Sequence, residues 1–339
     1  MAERPDGQAA VPRPLLEVAG LVTEFPVYRG RVQAVAGISF SVDRQEVVGL
    51  IGETGCGKSV AALSVMRLIR APGRIVAGRI VFDEADVLSL AEKRMRRIRG
   101  RGMAMIFQRP MSSLDPVFTL ERQFSDLVRF HFRVPRKEAR RIAVSSLQAV
   151  ALPDPESLLN CYPHELSGGM QQRTMIAMAL ACDSSLLIAD EPTTALDVSV
   201  QLQILKLIQD IMNGTKMSAI LISHDIGVIG SMCDRVYVMY AGQMVEHGPV
   251  REVITRPAHP YAECLINAIP RSDSAKRSLT HIRGEVCDPL LPPTGCRFHP
   301  RCPLATVECS EQAPSMVEVG MRHSAACLKT DEILSGRGM

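Results

Sequence analysis

The chain has 339 residues, ten cysteines and a formal net charge of only +3. Its length points to about two or three domains, and 46% hydrophobic with 22% charged residues is an ordinary globular composition. The charge is too small to argue for nucleic acid or an anionic lipid surface, no apolar run reaches the ~18 residues of a membrane span, and the polar start MAERPDGQAAVPRPLLEV lacks the apolar core of a signal peptide.

Residues 1–14 read as a disordered N-terminus. Leu15 to Phe25 and Gln33 to Val42 alternate apolar and polar residues, as half-buried antiparallel strands do. The turn between them carries Phe25 and Tyr28. Either could stack on a purine ring, and either could simply pack against the strands. Val47 to Ile51 is a short apolar run, read as a buried strand. Gly52 to Ser59 then spells G-x-x-x-x-G-K-[ST], and an apolar-rich helix pattern follows. Strand, glycine loop and helix form the context in which this motif cradles phosphates on backbone N–H groups. The loop residues Gly52, Glu53, Thr54, Gly55, Cys56, Gly57, Lys58, Ser59 and Val60 are therefore candidate nucleotide contacts. Lys58 is expected on the β- and γ-phosphates and the Ser59 hydroxyl on Mg²⁺.

Ala71-Pro-Gly73 ends the helix, and Gly78 to Asp83 reads as a strand. Glu92 to Arg101 carries six basic residues without aromatics between them, which reads as a solvated helix face. Met103 to Phe107 is a buried strand ending at Gln108. Residues 109–181 are mostly helical in pattern and contain Ser167-Gly168-Gly169-Met170. Ser184 to Ala189 is a second apolar strand ending in Asp190-Glu191. A helix over Val198 to Met212 follows, then an apolar strand, Ala219 to Ser223, ending at His224. Arg235 to Tyr240 and Gln243 to Glu246 read as a closing hairpin around Ala241-Gly242. Apolar strands alternating with helices make an α/β core with a mainly parallel sheet. From Arg256 onward the pattern gives way to prolines, cysteines and short segments.

At the C-terminal edge of such a sheet, Asp190 suits the Mg²⁺ shell and Glu191 suits polarising an attacking water. Taken together, the P-loop, Gln108, LSGGM at 166–170, LLIADEPTTALD and His224 resemble the nucleotide-binding subunit of an ABC transporter. That resemblance covers about residues 15–265. It implies a P-loop NTPase fold, with a RecA-like core, an antiparallel β subdomain and an inserted helical subdomain at about 109–181, together occupying 15–255. It implies Gln108 as the Q-loop residue near Mg²⁺ and the attacking water, Asp197 in the D-loop, His224 as the switch histidine, and Tyr28 or Phe25 against adenine. Ser167, Gly168 and Gly169 would face the γ-phosphate held by a second subunit. Met170 stands where many members have Gln, and Gln171 is expected to keep polar character nearby.

QRPMSSLDP and the C-terminal stretch GCRFHPRCPLATVEC resemble oligopeptide and dipeptide importer ATPases. Residues 256–339 would be their small Cys-rich extension. Cys296, Cys302, Cys309 and Cys327 have a spacing that could hold a [4Fe–4S] cluster or Zn²⁺ through four thiolates, and the resemblance favours the former. The implied function is ATP hydrolysis that powers uptake of peptides or similar small solutes. The implied partners are a related second ATPase subunit, two permease subunits gripped through the helical subdomain and, indirectly, an extracytoplasmic solute-binding protein. No nucleic acid is among them. The implied location is peripheral, on the cytoplasmic face of the cell membrane. The rivals are a non-transport ABC ATPase and a regulatory ATPase built around the cysteines.

Overall fold

The computed structural model describes residues 13–109, 113–194, 197–268, 282 and 284–337. Strands β1 (Leu16–Val27) and β2 (Gly30–Val42) form an antiparallel hairpin closed by Tyr28 and Arg29. Alternation buries Leu16, Val18 and Leu21 of β1 and Ile38, Phe40 and Val42 of β2. The fully apolar β3 (Val47–Ile51) runs into the glycine loop and helix α1 (Lys58–Val65). The chain then returns to β1 through β4 (Arg74–Phe82) and β5 (Ala85–Asp86), giving a four-stranded sheet of order β2-β1-β4-β5. β4 starts four residues earlier than its own pattern predicts, because its pairing with β1 continues to Glu24↔Arg74. A buried hydrogen bond of 2.8 Å between the Thr23 and Ser64 hydroxyls ties α1 to this sheet.

Helix α2 (Glu92–Arg101) leads into β6 (Met103–Ile106). Only Met95 of α2 is buried, as its basic composition predicts. The helical layer follows, with α3 (Leu120–Phe132), α4 (Arg136–Ala149), α5 (Pro155–Leu158) and α6 (Gly168–Leu180). Phe124 and Val128 of α3, Ala139, Ala143 and Leu147 of α4, and Met175 to Ala177 of α6 belong to one buried cluster. The α3 and α4 sets recur at helical spacing, so two amphipathic faces close on α6, whose buried residues are consecutive.

Then come β7 (Leu186–Asp190), α7 (Val198–Thr215), β8 (Ser218–Ile222), α8 (Ile226–Met232), β9 (Arg235–Tyr240) and β10 (Gln243–Pro249). Strands β6, β7, β8, β3 and β9 pair in parallel. Every residue of β6 through β9 is buried, which is why these segments read as unbroken apolar runs.

Past β10 lie α9 (Val250–Thr255), α10 (Pro260–Asn267) and α11 (Val307–Glu311), then β11 (Val317–Gly320) and β12 (His323–Ala325). The two last strands join the main sheet through β10, giving the order β11-β12-β10-β9-β3-β8-β7-β6. Glu246 of β10 is fully buried and accepts from the Ala258 and His259 N–H groups, each at 2.9 Å, and lies 2.8 Å from His323 Nε2 of β12. A buried carboxylate needs such partners, and here all of them come from the segment after β10, His323 from 77 residues on.

Candidate nucleotide site

The loop after β3 is built around two glycines that no other residue could replace without rearrangement. Gly52 has φ +151°, and a Cβ there would lie 2.1 Å from the Met239 carbonyl oxygen. Gly57 has φ +104°, and its Cβ would lie 2.1 Å from the Ala34 carbonyl oxygen. The loop is thus pressed between β9 and β2 while its tip, Thr54 and Gly55, stays exposed. Lys58 is buried, and its Nζ donates to the carbonyls of Gly52 at 2.7 Å and Glu53 at 3.0 Å. The Glu53 N–H donates to the Tyr261 hydroxyl at 2.8 Å. Cys56 is buried, and burial pushes its thiol pKa up. It is therefore a packed, unreactive member of the loop.

Ser59, in the first turn of α1, meets Asp190 at the end of β7, where the Ser59 hydroxyl donates to Asp190 Oδ1 at 3.0 Å. Burial raises the Asp190 pKa, and the Ser59 bond and Lys58 pull it back down. These hard oxygen donors are the chemistry Mg²⁺ takes. Glu191 adopts φ +46°, a left-handed conformation uncommon for a non-glycine residue, and its N–H donates to the Ile222 carbonyl at 3.0 Å. This turn aims its carboxylate at the sheet edge. Glu191 Oε2 accepts from Gln108 Nε2 at 2.8 Å and from the Thr194 hydroxyl at 2.9 Å, and His224 Nδ1 lies 3.9 Å away. Gln108, expected near Mg²⁺, is bonded to Glu191 here. The sequence by itself does not point to Thr194 or Tyr261. Thr194 sits three residues after Glu191, the reach of a hydroxyl that closes a turn on its own acid. Nothing local to Tyr261 signals its contact.

Phe25 is half-buried and packs against Gly73, where a Cβ would lie 2.4 Å from its ring. Tyr28 is fully exposed at the hairpin turn. Of the two aromatics, Tyr28 is the one with a free face. Ser167 caps α6, its hydroxyl accepting from Met170 N–H at 3.4 Å, and Ser167 and Gly168 are exposed. Gln171 does not supply polar character there. It is buried and donates to the carbonyls of Pro163 at 2.8 Å and Leu166 at 3.1 Å. Gln172, also buried, donates to the Pro192 carbonyl at 2.6 Å and so ties α6 to the turn that carries Glu191. Asp197 caps α7 through Val200 N–H at 3.0 Å, and hydrogen bonds from Ser199 and Val200 lower its pKa.

The expectation of a [4Fe–4S] cluster or Zn²⁺ is not supported. Among the described residues no group of three or more His, Cys, Asp or Glu side chains has the geometry to hold a metal ion. Cys296, Cys302, Cys309 and Cys327 form no such group, and none of them is in a disulfide. Burial first, and then the charge each neighbour would carry as a thiolate, together push Cys302 up to about 12 and Cys327 up to about 11. Cys327 Sγ accepts from Lys329 N–H at 3.3 Å, and Cys309 Sγ lies 3.4 Å from the Thr306 hydroxyl.

Residues 35–194 match the family model described as "ABC transporter", and residues 245–309 match "Oligopeptide/dipeptide transporter, C-terminal region". The chain is 46% identical to the "Probable peptide ABC transporter ATP-binding protein y4tR" of Sinorhizobium fredii, over 95% of this chain and 96% of that protein. It is 43% identical to the "Dipeptide transport ATP-binding protein DppD" of Bacillus subtilis, over 95% of this chain and 98% of that one. Among solved structures it resembles the dimeric post-hydrolysis state of the ATP-binding cassette MJ0796 bound to ADP and Pi. The TM-score is 0.63 at 24% identity, covering 70% of this chain and 99% of that one, a likeness of fold.

Proposed function

The chain belongs to the ABC transporter ATPases and carries the C-terminal region of their oligopeptide/dipeptide branch, and from that membership we propose that it hydrolyses ATP to power the import of peptides. The observation that carries the catalytic part is the convergence on Glu191. Gln108, Thr194 and His224 all address one carboxylate oxygen beside the Ser59–Asp190 pair. In this reading Glu191 orients the attacking water and takes its proton, the role of a positioned base. Lys58 exchanges its two loop carbonyls for phosphate oxygens. Ser59 and Asp190 would hold Mg²⁺, which neutralises charge on the phosphates. His224, exposed at the end of β8, contacts the γ-phosphate, and Tyr28 stacks on adenine.

Ser167, Gly168 and Gly169 form the N-terminus of α6, an anion-accepting end by its dipole and free N–H groups. Among the described residues they share no hydrogen bond with Gly52 to Ser59. We assign them to the nucleotide of a second, related ATPase subunit, with the P-loop of this chain completed in return. Dimeric packing of the structurally similar cassette supports that arrangement. An apolar groove of about 300 Å³, lined by Leu68, Phe107, Leu114, Leu127, Met175 and Met178, supports docking of the permease between sheet and helical layer. Among the described residues no helix is long and apolar enough to cross a membrane, and peripheral attachment at the cytoplasmic face, through two permease subunits, follows from this reading. A solute-binding protein on the other side would deliver the peptide.

The test is reconstitution in vesicles with permease subunits and a solute-binding protein. Peptide uptake should require ATP and stop with a non-hydrolysable analogue. Hydrolysis indifferent to both permease and peptide would refute the transport reading.

A further inference from the structure

Glu53 is an acidic residue in a loop that must accept a triphosphate. It places a carboxylate beside the site where like charge is most costly. The structure neutralises it from the far end of the chain. Arg301 NH1 lies 2.7 Å from Glu53 Oε2 and NH2 lies 3.0 Å from Oε1, a bidentate pair. The Arg301 side chain is only 5% exposed and the Glu53 side chain 26%. The guanidinium also lies 3.4 Å from the Tyr240 hydroxyl and 5.7 Å from that ring's centroid. The arginine is delivered by a fixed support. Phe298, three residues earlier, is 1% exposed and sits against Tyr240 at 5.2 Å, Tyr261 at 5.3 Å and His259 at 5.8 Å. The Arg301 N–H donates to the Phe298 carbonyl at 3.0 Å, which closes the turn between them. Tyr261, in the same aromatic group, holds the Glu53 N–H. A second connection runs in parallel. Arg297 donates to the Ala241 carbonyl, and the next residue, Gly242, donates its N–H to the Cys56 carbonyl at 2.9 Å. Both Glu53 and Cys56 are thus held by groups that the C-terminal segment itself provides or fixes.

We infer that Arg301 is a positioning residue of the ATP site, clamping the P-loop through Glu53 so that nucleotide affinity depends on how the segment around Phe298 is seated. This rests on the reading of Gly52 to Ser59 as an ATP site. With Arg301 removed, Glu53 carries an uncompensated charge toward the phosphates and the loop loses its outer anchor. With Glu53 also neutralised, the same removal matters less.

The experiment measures ATP affinity of the full chain by equilibrium binding, for the wild type, R301M, R301K, E53Q and the doubles E53Q/R301M and E53Q/R301K. Melting temperatures without nucleotide are recorded alongside. R301M should weaken ATP binding by at least about 10-fold in the wild-type background, as expected for an added nearby like charge. In the E53Q background the same substitution should cost less than about 3-fold by the same argument. R301K keeps the charge but loses the fork, so it should fall between wild type and R301M. A merely structural arginine would lower the melting temperature and leave ATP affinity alone. If R301M yields no soluble chain, R301K measured in both backgrounds reads the same difference. An R301M affinity within twofold of a wild type that does bind, or an equal loss in both backgrounds, overturns this inference alone. A wild type that fails to bind ATP overturns the nucleotide reading with it.

Discussion

His259 offers a test of how the C-terminal segment is held. Its ring is 1% exposed, and Nδ1 accepts from the Tyr261 N–H at 3.0 Å to cap α10. Nε2 is buried without a hydrogen-bond partner. A proton added to this ring would lose the cap and leave a charge in an apolar, aromatic setting, so burial pushes the pKa from 6.5 down to about 3. The sign follows from linkage. Between about pH 6.5 and 3 the unfolded chain binds a proton that the folded one refuses, so stability is full above pH 6.5 and is lost as pH falls. Integrated over that titration at 1.36 kcal/mol per unit, lowering the pH from 7 to 5 should cost roughly 2 kcal/mol from this residue alone. Asn at the same position can cap through its side-chain oxygen and does not titrate. Urea unfolding by circular dichroism, for wild type and His259→Asn at both pH values, checks the difference. The chain has no tryptophan, so intrinsic indole fluorescence is not the probe of choice. Asn is expected to lower stability at pH 7 through lost packing, yet to flatten the slope by about 2 kcal/mol over the interval. Parallel curves for the two proteins would refute a buried neutral histidine.

Glu191→Gln should retain ATP binding and lower turnover by on the order of 10²–10⁴-fold, the usual worth of a positioned base; near-normal steady-state hydrolysis would sink that role. Lys58→Ala should remove nucleotide binding measured by equilibrium titration, and an unchanged affinity would overturn the P-loop reading. Tyr28→Ala should weaken ATP binding by about 10-fold, within the range of base–aromatic stacking, while Phe25→Ala should lower the melting temperature instead because its ring packs on Gly73. Iron and zinc analysis of anaerobically purified protein separates the two states of Cys296, Cys302, Cys309 and Cys327: less than one metal per chain leaves them as thiols, and about four irons per chain would restore the cluster.

What could be read from the sequence was what the chain encodes locally. The P-loop is legible because its glycines, Lys58 and Ser59 are contiguous and flanked by their own strand and helix. Asp190 and Glu191 are legible because an apolar strand ends on them. The strand limits were less so: β10 runs to Pro249 and β4 starts at Arg74 because partner strands continue there, which the segments themselves do not record. Gln171 illustrates a different failure. A glutamine after the signature reads as polar character kept beside it, yet it is buried to satisfy two carbonyls of the preceding turn. Buried carbonyls of the turn before a helix need donors, and only the packed structure says which side chain provides them. Glu191's left-handed backbone is equally silent in sequence, since nothing about a glutamate announces φ +46°.

The break in composition near Arg256 shows why an amino-acid pattern and a packing boundary need not coincide. A segment rich in proline and cysteine has little periodicity of its own, so it reads as separate. Its contacts are nevertheless spent on the core. His323 and the N–H groups of Ala258 and His259 satisfy the fully buried Glu246 of β10. β12 pairs with β10 at Glu246↔Ala325, and Phe298 packs against both Tyr240 and Tyr261, which touch each other. Cutting the chain at residue 256 would leave that carboxylate buried without partners or drive β10 open, and an unsatisfied buried charge is among the costlier defects a fold can carry. The same contacts fix Tyr261 and Arg301 on the P-loop. A segment that looks like an appendage in sequence is therefore part of the wall against which the nucleotide loop is shaped.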